Sequence, residues 1–180
     1  MNNTDIVASK KPLKTNEEKQ YDERTLQIDR VARVVKGGRR FRFRALVVVG
    51  DKKKRVGIGS AKGADVTSAV NKASSVAKKN MIQVPIIKET IPHEIEAKVS
   101  GAKIFLKPAS KGTGLIAGGV IRTILEVAGI RNILSKSLGS SNKTNIAYTT
   151  IKALSELTTK DQWTTSLEKP NDKKKKEPKK

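Results

Sequence analysis

The sequence predicts an α+β protein of two small domains, an N-terminal β-β-β-α unit and a C-terminal α/β unit. Three observations carry this. Side chains alternate with a period of two through 39–49, the signature of a half-buried strand. Small apolar residues recur at helical spacing from Val66 to Ala77. From Glu94 onward, strand-like and helix-like runs interleave, which implies a second α/β layer. Aromatic residues make up 3% of the 180 residues and hydrophobic residues 36%, so the core must be built from Val, Ile, Leu and Ala. The predicted units span 24–84 and 85–157, with a polar, aperiodic flexible extension at 1–23 and a basic flexible tail at 158–180.

Leu26 to Lys36 reads as a first strand and Arg39 to Val49 as a second. Gly37-Gly38 reverses the chain between them, because glycine takes positive φ at no steric cost. In the second strand the alternation sends Phe41 and Phe43 into a core and turns Arg40, Arg42 and Arg44 together to the opposite face. Asp51 to Lys54 forms a charged turn. Arg55 to Ser60 is a third strand, in which Gly57 and Gly59 permit close backbone approach. Asp65 is placed to cap a helix running to about Asn80, with Val66, Ala69, Val70, Ala73 and Val76 or Ala77 along one stripe.

Met81 to Pro92 is apolar but holds Pro85 and Pro92, so it reads either as an edge strand or as a connection. Glu94 to Ser100 alternates Ile95, Ala97 and Val99 inward with Glu94, Glu96 and Lys98 outward. Gly101 makes a turn, Ala102 to Lys107 is a strand, and Pro108 to Gly118 a Gly- and Ser-rich loop. Gly119 to Ala128 is a helix stopped by Gly129. Asn132 to Lys136 is a strand, and Asn145 is placed to cap a final helix carrying Ile146, Ala147, Thr150, Ile151 and Leu154. Asn171 to Lys180 is lysine-rich, and Trp163 lies beyond the last clear helix.

The formal net charge is +21, and residues 24–169 hold +18 of it. The charge therefore sits in the folded part and points to a polyanionic partner, nucleic acid ahead of a membrane. Between Arg30 and Arg55 there are eleven Lys or Arg against one acid, Asp51. These are Arg30, Arg33, Lys36, Arg39, Arg40, Arg42, Arg44, Lys52, Lys53, Lys54 and Arg55, which together with Gly37 and Gly38 form the candidate RNA-binding set. A row of arginines on one strand face repels itself unless an anion lies across it, and guanidinium geometry suits phosphate. No helix carries a run of basic residues suited to a DNA major groove.

Catalytic candidates fail one by one. The chain has no cysteine and a single histidine, which leaves no disulfide, no thiolate metal site and no ordinary catalytic zinc site. His93-Glu94-Ile95-Glu96-Ala97 opens like a zinc-protease motif but lacks its second histidine. Glu94 and Glu96 share the wet face of one strand. Gly112-Thr-Gly-Leu-Ile-Ala117 fits a dinucleotide fingerprint, yet no acid lies between Glu126 and Glu156 to bind a ribose. Its glycines serve tight packing of loop on helix, or contact with a partner, although amides at that helix start could still hold a phosphate. The expectation is a protein with no catalytic residue, no metal and no cofactor, the alternatives being another basic RNA-binding protein or, behind it, a phosphate-binding enzyme built on Gly112–Gly119. No run is long and apolar enough for a membrane span.

Several stretches together resemble one family. They are Val35-Lys-Gly-Gly-Arg39, Gly50-Asp51, Arg55-Val-Gly-Ile-Gly59, Lys79-Asn-Met81, Lys107-Pro-Ala-Ser110, Gly112-Thr-Gly114, Ile116-Ala-Gly-Gly119, Leu125-Glu-Val-Ala-Gly-Ile130 and Leu138-Gly-Ser140. In this order, over roughly 24–157, they resemble the bacterial small-subunit ribosomal protein five family. The resemblance implies a first domain like a double-stranded-RNA-binding fold and a second with a left-handed βαβ crossover. It implies a structural role in the cytoplasmic small ribosomal subunit, supporting its assembly. The expected partners are small-subunit ribosomal RNA and ribosomal proteins four and eight, near the messenger entry path, with an effect on decoding accuracy. Lys36 to Arg39 looks like the loop whose changes give spectinomycin resistance in that family. Lys107, Ser110, Lys111, Gly112, Thr113 and Gly114 become a candidate partner or RNA loop. The family commonly has a Gly- or Asn-containing turn after Gly50-Asp51, and here the turn reads Lys52-Lys-Lys54.

Overall fold

The computed structural model describes residues 21–159. The extension before Tyr21, Trp163, the lysine-rich Asn171–Lys180 and all but the first two residues of the 158–180 tail lie outside the described residues. Among the described residues there are eight strands and three helices in two four-stranded sheets.

The first sheet has the order β1-β2-β3-β4, all antiparallel. β1 is Asp22–Val35, β2 Gly38–Gly50, β3 Arg55–Gly63 and β4 Met81–Gln83. β1 begins four residues before the expected Leu26, so Asp22 and Glu23 belong to the sheet. The expected β-β-β-α unit gains a fourth strand, because Met81–Gln83 pairs with the start of β3. The rest of the Met81–Pro92 segment is connection.

Helix α1, Val66–Lys79, lies on one face of this sheet. Ala69, Ala73 and Ala77 are buried against Ala45, Val47 and Val49. Of the two alternatives for the end of the stripe, Ala77 is buried and Val76 exposed. Asp65 occupies the N-cap position but makes no side-chain capping bond. Glycine at Gly57, Gly59 and Gly63 is what lets helix and strand close up. A Cβ at Gly59 would overlap the Ala73 carbonyl and come within 2.6 Å of the Ala77 nitrogen.

The second sheet has the order β5-β6-β8-β7, with β5 Ile95–Val99, β6 Ala102–Pro108, β7 Leu115–Ile116 and β8 Ile133–Gly139. β7 pairs parallel to β8, and α2, Gly119–Ala128, connects them in a βαβ unit. Leu115–Ile116, expected as loop, is thus a short strand whose only backbone support is non-local. β8 runs three residues past the expected Lys136. Helix α3, Lys143–Ser155, is capped by Asn142, whose Oδ1 accepts from the Thr144 N–H at 3.1 Å. The expected cap, Asn145, already sits within the first turn.

The two sheets share one core. Leu46, Val48, Val56 and Ile58 from the free face of the first sheet pack with Ile104, Leu106 and Ile133 of the second. Ile121, Ile124 and Leu125 of α2 and Leu154 of α3 belong to the same cluster. The first sheet is therefore covered on one face by α1 and on the other by α2.

Candidate nucleic-acid interface

β1 and β2 outrun the helix that covers them. β3 ends at Gly63, opposite Phe43, and α1 starts only at Val66. Among the described residues, no second layer covers the hairpin toward its tip. Cross-strand partners share a face, so the register sorts its side chains. On one face Arg33 lies opposite Arg40, Val31 opposite Arg42 and Asp29 opposite Arg44, with Lys62 of β3 across from Arg44. A groove of about 340 Å³ is lined by Val31, Ala32, Arg33, Val35, Arg40, Arg42 and Lys62. Among the described residues no carboxylate pairs with Arg33, Arg40, Arg42 or Lys62.

Arg44 differs from its neighbours. Asp29 Oδ2 accepts from its Nη2 at 2.6 Å and from its Nε at 3.2 Å. These bonds from Arg44, and one from Gln27, hold the Asp29 carboxyl below its ordinary range. The three arginines share one face as expected, but only Arg44 is anchored by a carboxylate among the described residues, at the base of the hairpin.

The opposite face sets Val34 across from Arg39, Ala32 across from Phe41 and Arg30 across from Phe43. Phe43 is half-buried on the α1 cluster. Phe41, expected in the core, is 47% exposed, because its face is right but the helix does not reach it. The Arg30 guanidinium stacks over the Phe41 ring, 3.8 Å from the centroid. At the tip, Gly37 and Gly38 have φ of 86° and 141°, a turn only glycine adopts without strain, and Lys36 and Arg39 flank it in solvent.

The remaining predicted cations are not brought to this hairpin tip. Lys52, Lys53, Lys54 and Arg55 lie at the far end of β2, where Lys52 N–H donates to the Val127 carbonyl and Lys54 N–H to that of Ala128. This turn caps the C-terminus of α2, which has no basic residue in its own last turn. Lys52 and Lys54 adopt φ of 55° and 90°, so the departure from a Gly-containing turn keeps the left-handed backbone without glycine. Asp51 braces the turn. Its carboxylate accepts from the Lys53 and Arg55 amides and from Arg55 Nε at 2.8 Å. Burial pushes this carboxyl up, but the Arg55 guanidinium and the two amides outweigh it and hold the group below the usual range.

The 107–114 loop is organised by a residue the sequence did not single out. Buried Asn132 accepts from the Gly112 and Gly114 amides, both at 3.1 Å, through its Oδ1. Those amides, the ones a phosphate cradle would use, are already bonded within the chain. A Cβ at Gly112, Gly114, Gly118 or Gly119 would meet nothing within 4 Å, so tight packing does not explain these glycines. Positive φ explains Gly112 and Gly114. Ser110 and Thr113 are joined by their hydroxyls, and Lys111 is exposed. Lys107 points to the uncovered face of the second sheet, which it shares with Lys98, Lys103 and Lys136. Alternation through Ala102–Lys107 held the signal for that lysine face, and Lys62 could have been found from the length of β3.

His93 ties the start of β5 to the end of the fold, its Nε2 accepting from the Thr158 N–H at 3.2 Å. Glu96 is ion-paired with Lys103, and Glu94 is exposed. Among the described residues there is no group of three or more metal-ligating side chains, and no helix is long and apolar enough to cross a membrane.

Comparison with known proteins follows the same division. Residues 21–85 match the family model for the N-terminal domain of ribosomal protein S5, and residues 97–166 the model for its C-terminal domain. Small ribosomal subunit protein uS5 of Thermus thermophilus is 54% identical over 143 residues, covering 79% of this chain and 88% of the relative. The protein of the same name from Chloroflexus aurantiacus is 50% identical over 139 residues, covering 77% of this chain and 78% of the relative. With both domains matched in order and half of all aligned residues identical, the chain belongs to the bacterial uS5 family of small-subunit ribosomal proteins.

Proposed function

We propose that this chain is a structural, non-enzymatic constituent of the small ribosomal subunit in the cytoplasm, and that its β1–β2 hairpin holds small-subunit ribosomal RNA. One observation carries the reading most directly. Arg33 and Arg40 are cross-strand partners with Arg42 and Lys62 beside them, and among the described residues no carboxylate pairs with any of the four. Like charges directly opposite each other on a sheet are destabilising. An RNA backbone laid along the groove turns that repulsion into attraction and fixes the register of the hairpin on the helix. The 24–84 unit then supplies the RNA-facing hairpin and the 85–157 unit the 107–114 loop. We infer that the loop, shaped by Asn132, meets a neighbouring protein, with ribosomal proteins four and eight the candidates. Contact at the Lys36–Arg39 tip would bear on subunit assembly, on the messenger path and on decoding accuracy.

The test is filter binding of the full-length protein to small-subunit ribosomal RNA across a salt series. Each phosphate contact adds roughly 0.7–0.9 to the slope of log affinity against log salt. Replacing Arg33, Arg40 and Arg42 together by Gln is expected to flatten the slope by about two to three contacts' worth. An affinity independent of salt, or a slope untouched by the triple change, would overturn the reading.

A further inference from the structure

We propose that the second face of the hairpin is a stacking platform for one unpaired nucleobase, built from Arg30 on Phe41. The proposal rests on the RNA reading above and adds a chemistry to it, since the groove on the other face recognises phosphate.

Three of the large apolar side chains that remain exposed lie on this single face. They are Ile28, at 46%, Val34, at 76%, and Phe41, at 47%. A hairpin that only needed to be basic would have no use for them. The ring of Phe41 is already covered on one side by a guanidinium at 3.8 Å. Among the described residues no carboxylate pairs with Arg30, and its guanidinium, stacked on the ring, belongs to an exposed side chain. A base laid on that guanidinium extends the stack, and flat guanidinium and aromatic surfaces are what splayed-out RNA bases stack on. The occupant is argued from charge. From Arg30 to Gly50 the chain holds Arg and Lys but no acid, so an apolar partner must arrive attached to a polyanion. A nucleobase on its phosphate backbone meets both demands, the base on Arg30–Phe41 and its phosphates within reach of Arg39 at the same face.

The experiment compares the full-length protein and its variants on two probes, an oligoadenylate carrying one 2-aminopurine and an abasic oligomer of equal length and charge. The wild type is expected to bind oligoadenylate more tightly and to quench the 2-aminopurine. Phe41→Ala is expected to lose affinity for oligoadenylate by about 5- to 150-fold and to lose the quenching, with abasic binding and salt slope unchanged. Phe41→Trp should keep both, and Phe41→Leu, which keeps apolar area without a π face, should lose both. Circular dichroism and thermal melting establish that each variant folds, as a half-exposed position beyond α1 permits. Equal binding of the two probes, or quenching that survives Phe41→Ala, overturns the platform while leaving the RNA reading intact. Loss of ribosome incorporation in Phe41→Ala but not in Phe41→Leu points to an apolar protein neighbour and overturns it as well. Absence of salt-dependent binding to either probe would instead count against the RNA reading itself.

Discussion

Replacing Lys54 by glycine is expected to make the protein more stable while weakening its hold on RNA. Lys54 adopts φ of 90°, where an L residue crowds its own Cβ against the backbone. The conformation is imposed from outside the turn. Its N–H donates to the Ala128 carbonyl at 3.2 Å, and its carbonyl accepts from the Val84 N–H at 2.7 Å. Glycine keeps both bonds and removes the crowding. The left-handed region costs an L residue about 1–2 kcal/mol. Glycine's extra freedom in the unfolded chain takes back about 0.4–1 kcal/mol. A net gain of roughly 0.5–1 kcal/mol remains, or about 1–4 °C in melting temperature for a fold of this size. Lys54→Ala is the control, since it removes the same charge and keeps the Cβ. Guanidinium denaturation of the three proteins side by side reads out the difference. If glycine is no more stable than alanine, the turn is not strained and the reasoning from its backbone fails. If strain is the cost of keeping a cation there, both variants should lose one phosphate contact, roughly 0.7–0.9, from the salt slope.

Gly59→Ala should destabilise the protein by about 1–3 kcal/mol or more, because the new methyl overlaps the Ala73 carbonyl and α1 must shift; thermal melts against Ser60→Ala, on the neighbouring residue, check this. Phe43→Ala should cost about 1–2 kcal/mol, less than a fully buried ring would, since Phe43 is half-exposed, whereas Arg42→Ala should leave the melting temperature unchanged and weaken RNA binding. The Asp51 carboxyl is held below its ordinary range, so its contribution to stability is complete above about pH 4 and is lost as pH falls through the lowered folded value. Asp51→Asn should accordingly lower stability at neutral pH and flatten the acid limb of the curve, a change that urea titrations between neutral and acidic pH will register or refute.

Much of the first unit was legible because its signals are local. Alternation places Val47 and Val49 on one side and Leu46 and Val48 on the other. Gly57 and Gly59 announce a helix lying close, and Gly129 ends α2 with φ of 92°. What stayed hidden depends on distant chain. β7 is two residues held by a parallel neighbour, Ile133–Leu134, and no local pattern marks so short a strand. The left-handed lysines at 52 and 54 answer to carbonyls at the end of α2. Asn132 reads as an ordinary strand entrance until the 112–114 amides fold onto it.

The error at Phe41 is the instructive one, because the face was read correctly and the environment was not. A period of two tells which side of a sheet a residue occupies. It does not say where the layer on that side stops. Here the layer stops at a definite place, since Gly63 pairs with Phe43 and the chain then turns away to begin α1 at Val66. From Phe43 inward the alternation builds a core. From Phe41 outward the same alternation presents an arginine-stacked ring on one face and, on the other, a groove of cations that no carboxylate pairs with among the described residues. The proposed interface is thus the part of the sheet that α1 does not reach. Shortening β1 and β2 by one residue pair at a time should remove RNA affinity before it removes stability, until the cut reaches the Phe43–Arg30 pair, where both should fall together.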